Sequence, residues 1–175
     1  MDSLRLVPLG LLGAWCVNDA EEWFTFPATT RLVARLAPVW LPLPDAFRQG
    51  GFSVRHTRRG IAAMGAVVVS ATVAGAVTES RSPLFRGGLL AFGVHGYIHL
   101  AGSVLTRKYT SGVVSAAAVV IPYWHWARRR VREAGLSDTD RSAVAVAACV
   151  WPILLAVHVV SARSLGDAAF GEPEL

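Results

Sequence analysis

A short run of acidic and amide side chains follows the first apolar stretch of the chain. The run is Asn18-Asp19-Ala20-Glu21-Glu22, and the apolar stretch before it begins at Leu4. On a helix, Asn18, Glu21 and Glu22 can project from one face because they are three and four residues apart. Ionisable groups at membrane depth are costly and mark functional sites. We therefore expect the chemistry of this protein to begin at this acidic run.

Imidazole, phenol and indole groups elsewhere in the chain are further candidates. His95 and His99 are four residues apart, a spacing that places both rings on one face of a helix and can supply two metal ligands. His158 lies in the last apolar segment, Tyr109 lies just before the fourth, and Trp15 lies one turn before the acidic run. Any of these side chains can line a polar pocket between helices.

Each candidate also has a purely structural interpretation. The two glutamates can reach water at the end of the first apolar segment, and the paired histidines can simply hydrogen-bond within the bundle. His158 and Trp15 can serve in helix packing, and Tyr109 can anchor the chain at the membrane interface. These interpretations stay open at the level of sequence.

The composition is typical of a membrane protein. Of the 175 residues, 53% are hydrophobic and 17% are charged, whereas soluble domains carry about 25% charged residues. The mean hydropathy is +0.44. The net charge of +5 comes from arginines between apolar segments, without the interleaved aromatic residues that stack on bases. We therefore expect contact with a lipid bilayer and none with nucleic acid.

Five apolar segments approach the length of about 20 residues that a membrane-spanning helix needs. We predict one all-α domain over residues 1–175, a polytopic transmembrane bundle of about five helices. The predicted spans are residues 4–24, 60–78, 86–106, 110–126 and 142–161. Five spans place the termini on opposite sides of the membrane. A single lysine, with abundant arginine, alanine and glycine, favours a GC-rich bacterial source and hence the bacterial plasma membrane.

Proline, arginine and turn residues lie between the spans. The longest connection is residues 25–57, in which charged and apolar residues at helical spacing over 31–37 indicate a short interfacial helix. Residues 128–132 predict a basic loop, which we place in the cytoplasm because positive charge concentrates there. Pro83 and residues 137–140 predict helix starts. The tail after residue 165 is predicted to fray.

The directions of the spans bring the candidate residues to one depth. The first, third and fifth spans run the same way, so positions can be compared at about 1.5 Å per residue. On this count Glu21 and Glu22 lie at a depth similar to that of His95, His99 and His158. We predict that the first and third spans pack together, with one of the two glutamates within hydrogen-bonding distance of one of the two paired histidines.

The acidic run and the paired histidines resemble the HXXEE family of small, mostly bacterial membrane proteins, named for a His-x-x-Glu-Glu signature near the N-terminus. The acidic run falls where the signature belongs, with Asn18 in place of the histidine. Residues 95–99, then 107–115 and Pro122, are similar to a second pattern, in which an asparagine and a histidine are four apart. The resemblance implies that an amide and an imidazole have exchanged places between Asn18 and His95, which then face each other. It implies no particular activity.

The residues favour an integral membrane enzyme that acts on a hydrophobic lipid-like, terpenoid or polyketide molecule by acid/base chemistry, of the isomerase or cyclase type. Glu21 or Glu22 would be the acid, and His99 and His95 would be the base or its orienting partner. The substrate-binding candidates are Asn18, Tyr109, His158 and Trp15. The reaction needs no cofactor.

Two alternatives to this function stay open. Two carboxylates and two imidazoles can bind zinc, iron or manganese, which would make the protein a metal-dependent membrane enzyme. Against it, five histidines are few for such an enzyme. The other alternative is a small membrane transporter or assembly subunit, in which buried polar residues hold helices together.

Overall fold

The computed structural model describes residues 3–137 and 139–172. Its helices are α1 (Ser3–Leu36), α2 (Asp45–Gly50), α3 (Val54–Val77), α4 (Pro83–Thr106), α5 (Val113–Ser115), α6 (Ile121–Glu133) and α7 (Arg141–Leu165). A π-helical turn, Ala116–Val120, joins α5 to α6, and a 3-10 turn, Gly166–Ala169, follows α7. The predicted all-α fold is confirmed.

Three helices within the described part of the chain are long and apolar enough to cross a membrane. They are α3, α4 and α7, and they correspond to the second, third and fifth predicted spans. The first and fourth predicted spans are also helical. However, the first carries the acidic run, and the fourth contains the π-helical turn and continues into a series of arginines. The protein is a helical membrane bundle, and five spans stay a prediction.

Helix α1 extends well beyond the predicted first span. It continues through Pro27 to Leu36, although proline lacks the N–H that an α-helix uses. The Thr30 hydroxyl donates to the Pro27 carbonyl and accepts from the Phe52 N–H, each at 2.9 Å, which fixes this part of α1 to the connection that follows it. The prediction of a connection beginning at residue 25, with a separate interfacial helix over 31–37, was therefore wrong. The connection begins after α1 and contains α2, which the sequence analysis missed.

The arginine-rich segment at residues 128–132 is the end of α6 and not a loop. Arginine is a good helix former, and the segment also gains local ion pairs. Glu133 accepts hydrogen bonds from Arg129 at 2.7 Å and from Arg130 at 3.1 Å. The prediction of a basic loop was wrong for this reason, and the connection to α7 begins only after Glu133.

One end of the bundle gathers the start of α1 and the two loops that precede α4 and α7. Ser80 Oγ donates to the Leu4 carbonyl at 3.1 Å. Arg86, in the first turn of α4, donates to the Ser137 carbonyl and to the Asp140 carboxylate. The predicted helix starts are confirmed at Pro83 and at Asp140, whereas Asp138 lies outside the described residues.

The opposite end gathers the connection after α1 and the segment after α7. The Ser53 N–H donates to the Ala169 carbonyl at 2.9 Å, and Phe52 pairs with Phe170 in an antiparallel β-bridge. Residues 166–172 are thus fixed to the bundle, and the prediction that they fray was wrong; residues 173–175 lie outside the described part. The first and last described residues lie at opposite ends of the bundle.

Small residues set the distances between the helices. Helix α1 packs most extensively against α3, and α4 packs against α7. A Cβ atom at Gly65 would lie 2.8 Å from the Trp15 ring, and one at Gly87 would lie 2.5 Å from Val146. Helices α1 and α4 have little direct backbone contact, so the predicted packing of the first span on the third is made by side chains, which share one buried core cluster. These two helices meet through long side chains at the edge of a cavity.

Candidate functional site

One carboxylate oxygen of Glu22 is the centre of the site. Asn18 Nδ2 donates to this oxygen, Oε1, at 2.8 Å. The Nε2 atoms of His99 and His95 lie 2.8 Å and 3.4 Å from it, and these two nitrogens are 2.7 Å apart. Glu22 is only 8% exposed. The predicted contact between a glutamate of α1 and a histidine of α4 is confirmed.

Helical spacing and one glycine position these groups. Asn18 and Glu22 are one turn apart on α1, and His95 and His99 are one turn apart on α4, with their ring planes near perpendicular and their centroids 4.2 Å apart. The loop before α5 closes over His99 at Gly112, where φ is +77° and an added Cβ would lie 2.6 Å from the ring. A glycine is required here by both the backbone angle and the close approach.

Glu21 points away from Glu22 and holds the start of α5. Its carboxylate accepts hydrogen bonds from the Ser115 N–H at 2.7 Å, the Ser115 hydroxyl at 2.5 Å and the Tyr109 hydroxyl at 2.5 Å. The first N–H groups of a helix have no hydrogen-bond acceptor within the helix, and the Glu21 carboxylate is the acceptor for one of them. Two predicted site residues, Glu21 and Tyr109, therefore lie together, but their contacts are with each other and with α5.

Asn18 joins the two glutamates. Its Nδ2 donates to Glu22, and its Oδ1 lies 3.2 Å from the Ser115 hydroxyl, which donates to Glu21. The side chain is fully buried. A neutral imidazole has one N–H and one acceptor nitrogen, so a histidine at this position would offer one donor and one acceptor.

Asn18 and His95 meet at a shared partner. Both side chains are directed at Glu22 Oε1, at 2.8 Å and 3.4 Å. Their predicted convergence is thus present, with the glutamate between them. Whether an amide and an imidazole exchanged places within the family stays a prediction.

A cavity of about 160 Å³ lies beside Glu22, between α1, α3, α4 and α7. Asp19, Glu22, His95 and His158 supply its ionisable lining, and its other walls are mainly apolar. The apolar lining includes Trp15, Phe26, Met64, Phe92 and Trp151. Trp15 and His158 therefore lie at the pocket for which the sequence predicted them. The cavity is bordered by all three of the apolar, membrane-length helices.

The sequence analysis missed two residues near this cavity. Asp19 lines it and is 9% exposed; its spacing of three residues from Glu22 was the signal that places both on one face. His56 is fully buried, with Nε2 2.8 Å from Nδ1 of His158 and its ring stacked on Phe52 at 3.9 Å. His56 is close to arginines in the sequence. This pattern is typical of a basic segment exposed to water and does not indicate a buried histidine.

A family model supports the resemblance drawn from the motifs. The model for the "Protein of unknown function with HXXEE motif" matches residues 9–127, a range that includes Asn18, Glu22, His95, His99 and the loop before α5. No curated protein and no solved structure matches the chain. Since the matched range is well over half of the chain, the protein belongs to the HXXEE family.

Proposed function

We propose that this protein is an integral membrane enzyme that converts a hydrophobic small molecule by proton transfer, in a reaction of the isomerase or cyclase type. The observation that supports this most is the cavity, whose apolar walls meet Asp19, Glu22 and His95. Ligand pockets are usually apolar with a few convergent polar groups. A lipid-like, terpenoid or polyketide molecule would bury its hydrocarbon part there and present one reactive group to the acids.

Glu22 and His99 form the proton-transfer pair in this proposal. They are hydrogen-bonded at 2.8 Å, within the range required of a general acid and base. His95 extends the pair to the cavity, because its Nε2 lies 2.7 Å from that of His99 and its side chain is part of the lining. Asn18 orients Glu22 through its amide hydrogen bond.

The location of the cavity favours a substrate that arrives from the bilayer. The flanking helices α3, α4 and α7 are the ones apolar enough to span a membrane, so a substrate dissolved in lipid would reach the cavity from between them. We assign the enzyme to the plasma membrane of a bacterium, where it would act in the biosynthesis of such a molecule.

Native mass spectrometry of the protein released from its own membranes tests the proposal. We expect a co-purifying hydrophobic molecule in the wild-type protein and its loss in Val67→Phe, because Val67 lines the cavity. Val69→Phe is the matched control, since Val69 is on the same helix but is 45% exposed and does not line the cavity. Equal retention by the two variants, or an empty wild-type protein, would contradict the proposal.

A further inference from the structure

Three atoms at the centre of the site make more close contacts than their hydrogens can satisfy. Glu22 Oε1, His95 Nε2 and His99 Nε2 are separated by 2.7, 2.8 and 3.4 Å. In a neutral imidazole, each Nε2 carries either one proton or one lone pair. If both nitrogens carry a proton and donate to Glu22, their two N–H groups point toward each other. If only one nitrogen carries a proton, that single proton must form hydrogen bonds to both of the other atoms. Hydrogen bonds alone leave one contact of the three unsatisfied.

We infer that Glu22, His95 and His99 bind one divalent transition-metal cation. A cation among the three atoms accepts a lone pair from each, which satisfies all the contacts at once. The ligand atoms lie within 4.8 Å of one another, and they come from two helices that are fixed by their neighbours. Two imidazoles with one carboxylate is the ligand set of catalytic zinc sites and of non-haem iron sites.

The distances suit such an ion. Zinc is about 2.0–2.1 Å from its nitrogen and oxygen ligands, so tetrahedral ligand atoms are about 3.3 Å apart. The separation of His95 Nε2 from Glu22 Oε1, 3.4 Å, already has this value. The two shorter separations need to widen by about half an ångström to reach that tetrahedral spacing. A change of this size is within reach of small rotations of the side chains about Cα–Cβ.

The surroundings of the three ligands are those of a metal centre with an open position. Asn18 donates to the ligating oxygen of Glu22, as partners outside the ligand shell do to fix a carboxylate. Three protein ligands leave a fourth position for water or substrate in catalytic zinc sites. Since Glu22 and His95 line the cavity, that position faces the bound molecule.

Metal binding changes the roles of the neighbouring acids. With a metal bound, Glu22 and His99 would be ligands and would no longer form the proton-transfer pair, and Asp19, which also lines the cavity, would be the acid that exchanges a proton with the bound molecule. A divalent ion would polarise an oxygen of that molecule. This assignment of roles rests on the proposed function, whereas metal binding itself does not.

Calorimetric titration with zinc alone tests the inference. The full chain is purified in detergent with an affinity tag that contains no histidine, treated with a chelator, and titrated with Zn²⁺. We expect one zinc per chain, and affinity at least about 100-fold lower in His99→Ala and in Glu22→Gln, because ligand loss exceeds the effect of losing an outer partner. His125→Ala is the control, since His125 is an exposed histidine on α6 and should leave the affinity unchanged.

Two results would overturn the metal site: a folded wild-type protein that binds no zinc, or ligand variants that bind it as well as the wild type. Helical circular dichroism and a single elution peak establish folding. If the ligand variants do not fold, Co²⁺ bound to the wild type gives a visible absorption spectrum when nitrogen ligands hold it, and its absence also overturns the site. Zinc binding is measured without substrate, whereas the proposed function is tested by loss of the co-purifying molecule in Val67→Phe. Failure of the metal site is therefore distinguishable from failure of the proposed function.

Discussion

At the scale of single residues, the two adjacent glutamates of the signature have different partners. Successive residues of a helix are rotated by about 100°, which directs Glu22 to the histidines of α4 and Glu21 to the start of α5. Asn18, three and four residues earlier, contacts Glu22 and the serine that Glu21 holds. The signature therefore joins the carboxylate at the cavity to the carboxylate at the start of α5 through a shared amide.

Substitution of each glutamate by glutamine should separate these two roles. Glu22→Gln is expected to lower activity by about two to four orders of magnitude, the scale for loss of a general acid or base. Glu21→Gln is expected to lower the free energy of unfolding by about 1–3 kcal/mol, because it weakens charged hydrogen bonds to Ser115 and Tyr109. Turnover of the co-purified molecule and thermal unfolding in detergent measure the two effects.

The reverse pattern would contradict this division. If Glu21→Gln abolished turnover and kept wild-type stability, the carboxylate at the start of α5 would be the reactive one. His99→Ala provides an independent check, since it should share the activity loss of Glu22→Gln and leave the hydrogen bonds of Glu21 intact.

Much of the site follows from positions along the helices, and its finer geometry does not. Depth along the helices was enough to predict Glu22 near His95 and His99, because a rise of about 1.5 Å per residue fixes the height of each side chain. Depth does not determine which way a side chain points around the helix. The partners of Glu21 depend instead on the loop at Gly112, whose close approach to His99 has no local sequence signal beyond the glycine.

At the scale of the structural elements, the loop before α5 fixes the position of His99. Gly112→Ala is expected to cost about 1–2 kcal/mol for the left-handed backbone, and its methyl group would also displace the ring 2.6 Å away. Zinc affinity and activity should therefore fall with stability. Titration calorimetry and thermal unfolding measure these losses.

Gly135→Ala is a matched control for the cost of placing alanine in a left-handed backbone conformation. Gly135 has a similar φ of +73°, and a Cβ there would meet nothing within 4 Å. The two variants should lose similar stability from strain, while Gly135→Ala keeps wild-type zinc affinity. Equal zinc affinity in both would show that Gly112 serves the turn alone.

The start of α7 should make the fold sensitive to acid. The Ser142 hydroxyl, the Ala143 N–H and the Arg86 guanidinium donate to Asp140 and hold its pKa below the usual value. Because the folded-state pKa is below the unfolded value of about 3.9, this stabilisation is complete above that pH and is lost as the pH falls toward the folded-state pKa.

Thermal unfolding between neutral and acid pH measures this contribution. Asp140→Asn removes the titrating charge, so its melting temperature should depend less on pH in the acid range than that of the wild type. Asp167→Asn, an exposed aspartate after α7, should keep the wild-type dependence. An identical acid profile for Asp140→Asn and the wild type would rule out Asp140 as the source.

At the scale of the whole molecule, the apolar segments of the sequence predicted the helices. Where the helices end depends on packing and on local interactions. Pro27 marked a boundary in the sequence, yet α1 passes through it, because a helix that packs along α3 gains more than one lost hydrogen bond costs. The arginines after residue 127 suggested a loop, but ion pairs with Glu133 keep them helical. The packing of α1 along α3 leaves no signal in a local pattern, whereas the i,i+3 and i,i+4 spacing of Glu133 from the arginines is visible in the sequence.

The arrangement of the loops predicts how the protein crosses the membrane. After replacing Cys16 and Cys149, which are free and exposed, single cysteines can be placed at Gln49, Lys108, Arg81 and Ala134. An impermeant maleimide applied to intact cells should label the first two and not the last two, because each pair belongs to one end of the bundle. Labelling of Gln49 and Arg81 from the same side would exclude this topology.

The π-helical turn between α5 and α6 implies that the chain between two fixed side chains is one residue longer than a regular α-helix joining them would be. Ser115 is held by Glu21 before the turn, and the Tyr123 hydroxyl is held by the Val7 carbonyl at 2.7 Å after it. A π turn contains one residue more than an α-helical path. If this segment kept all its residues in a regular α-helix, one fixed point would be rotated relative to the other by about 100°, and the chain could keep Ser115 or Tyr123 in place, but not both. Deleting the exposed Ala117 should therefore convert the π turn to α-helix and leave both contacts in place. In this sense the extra residue acts as a register adjustment, which lets a single helix satisfy both the signature at one end and the bundle at the other.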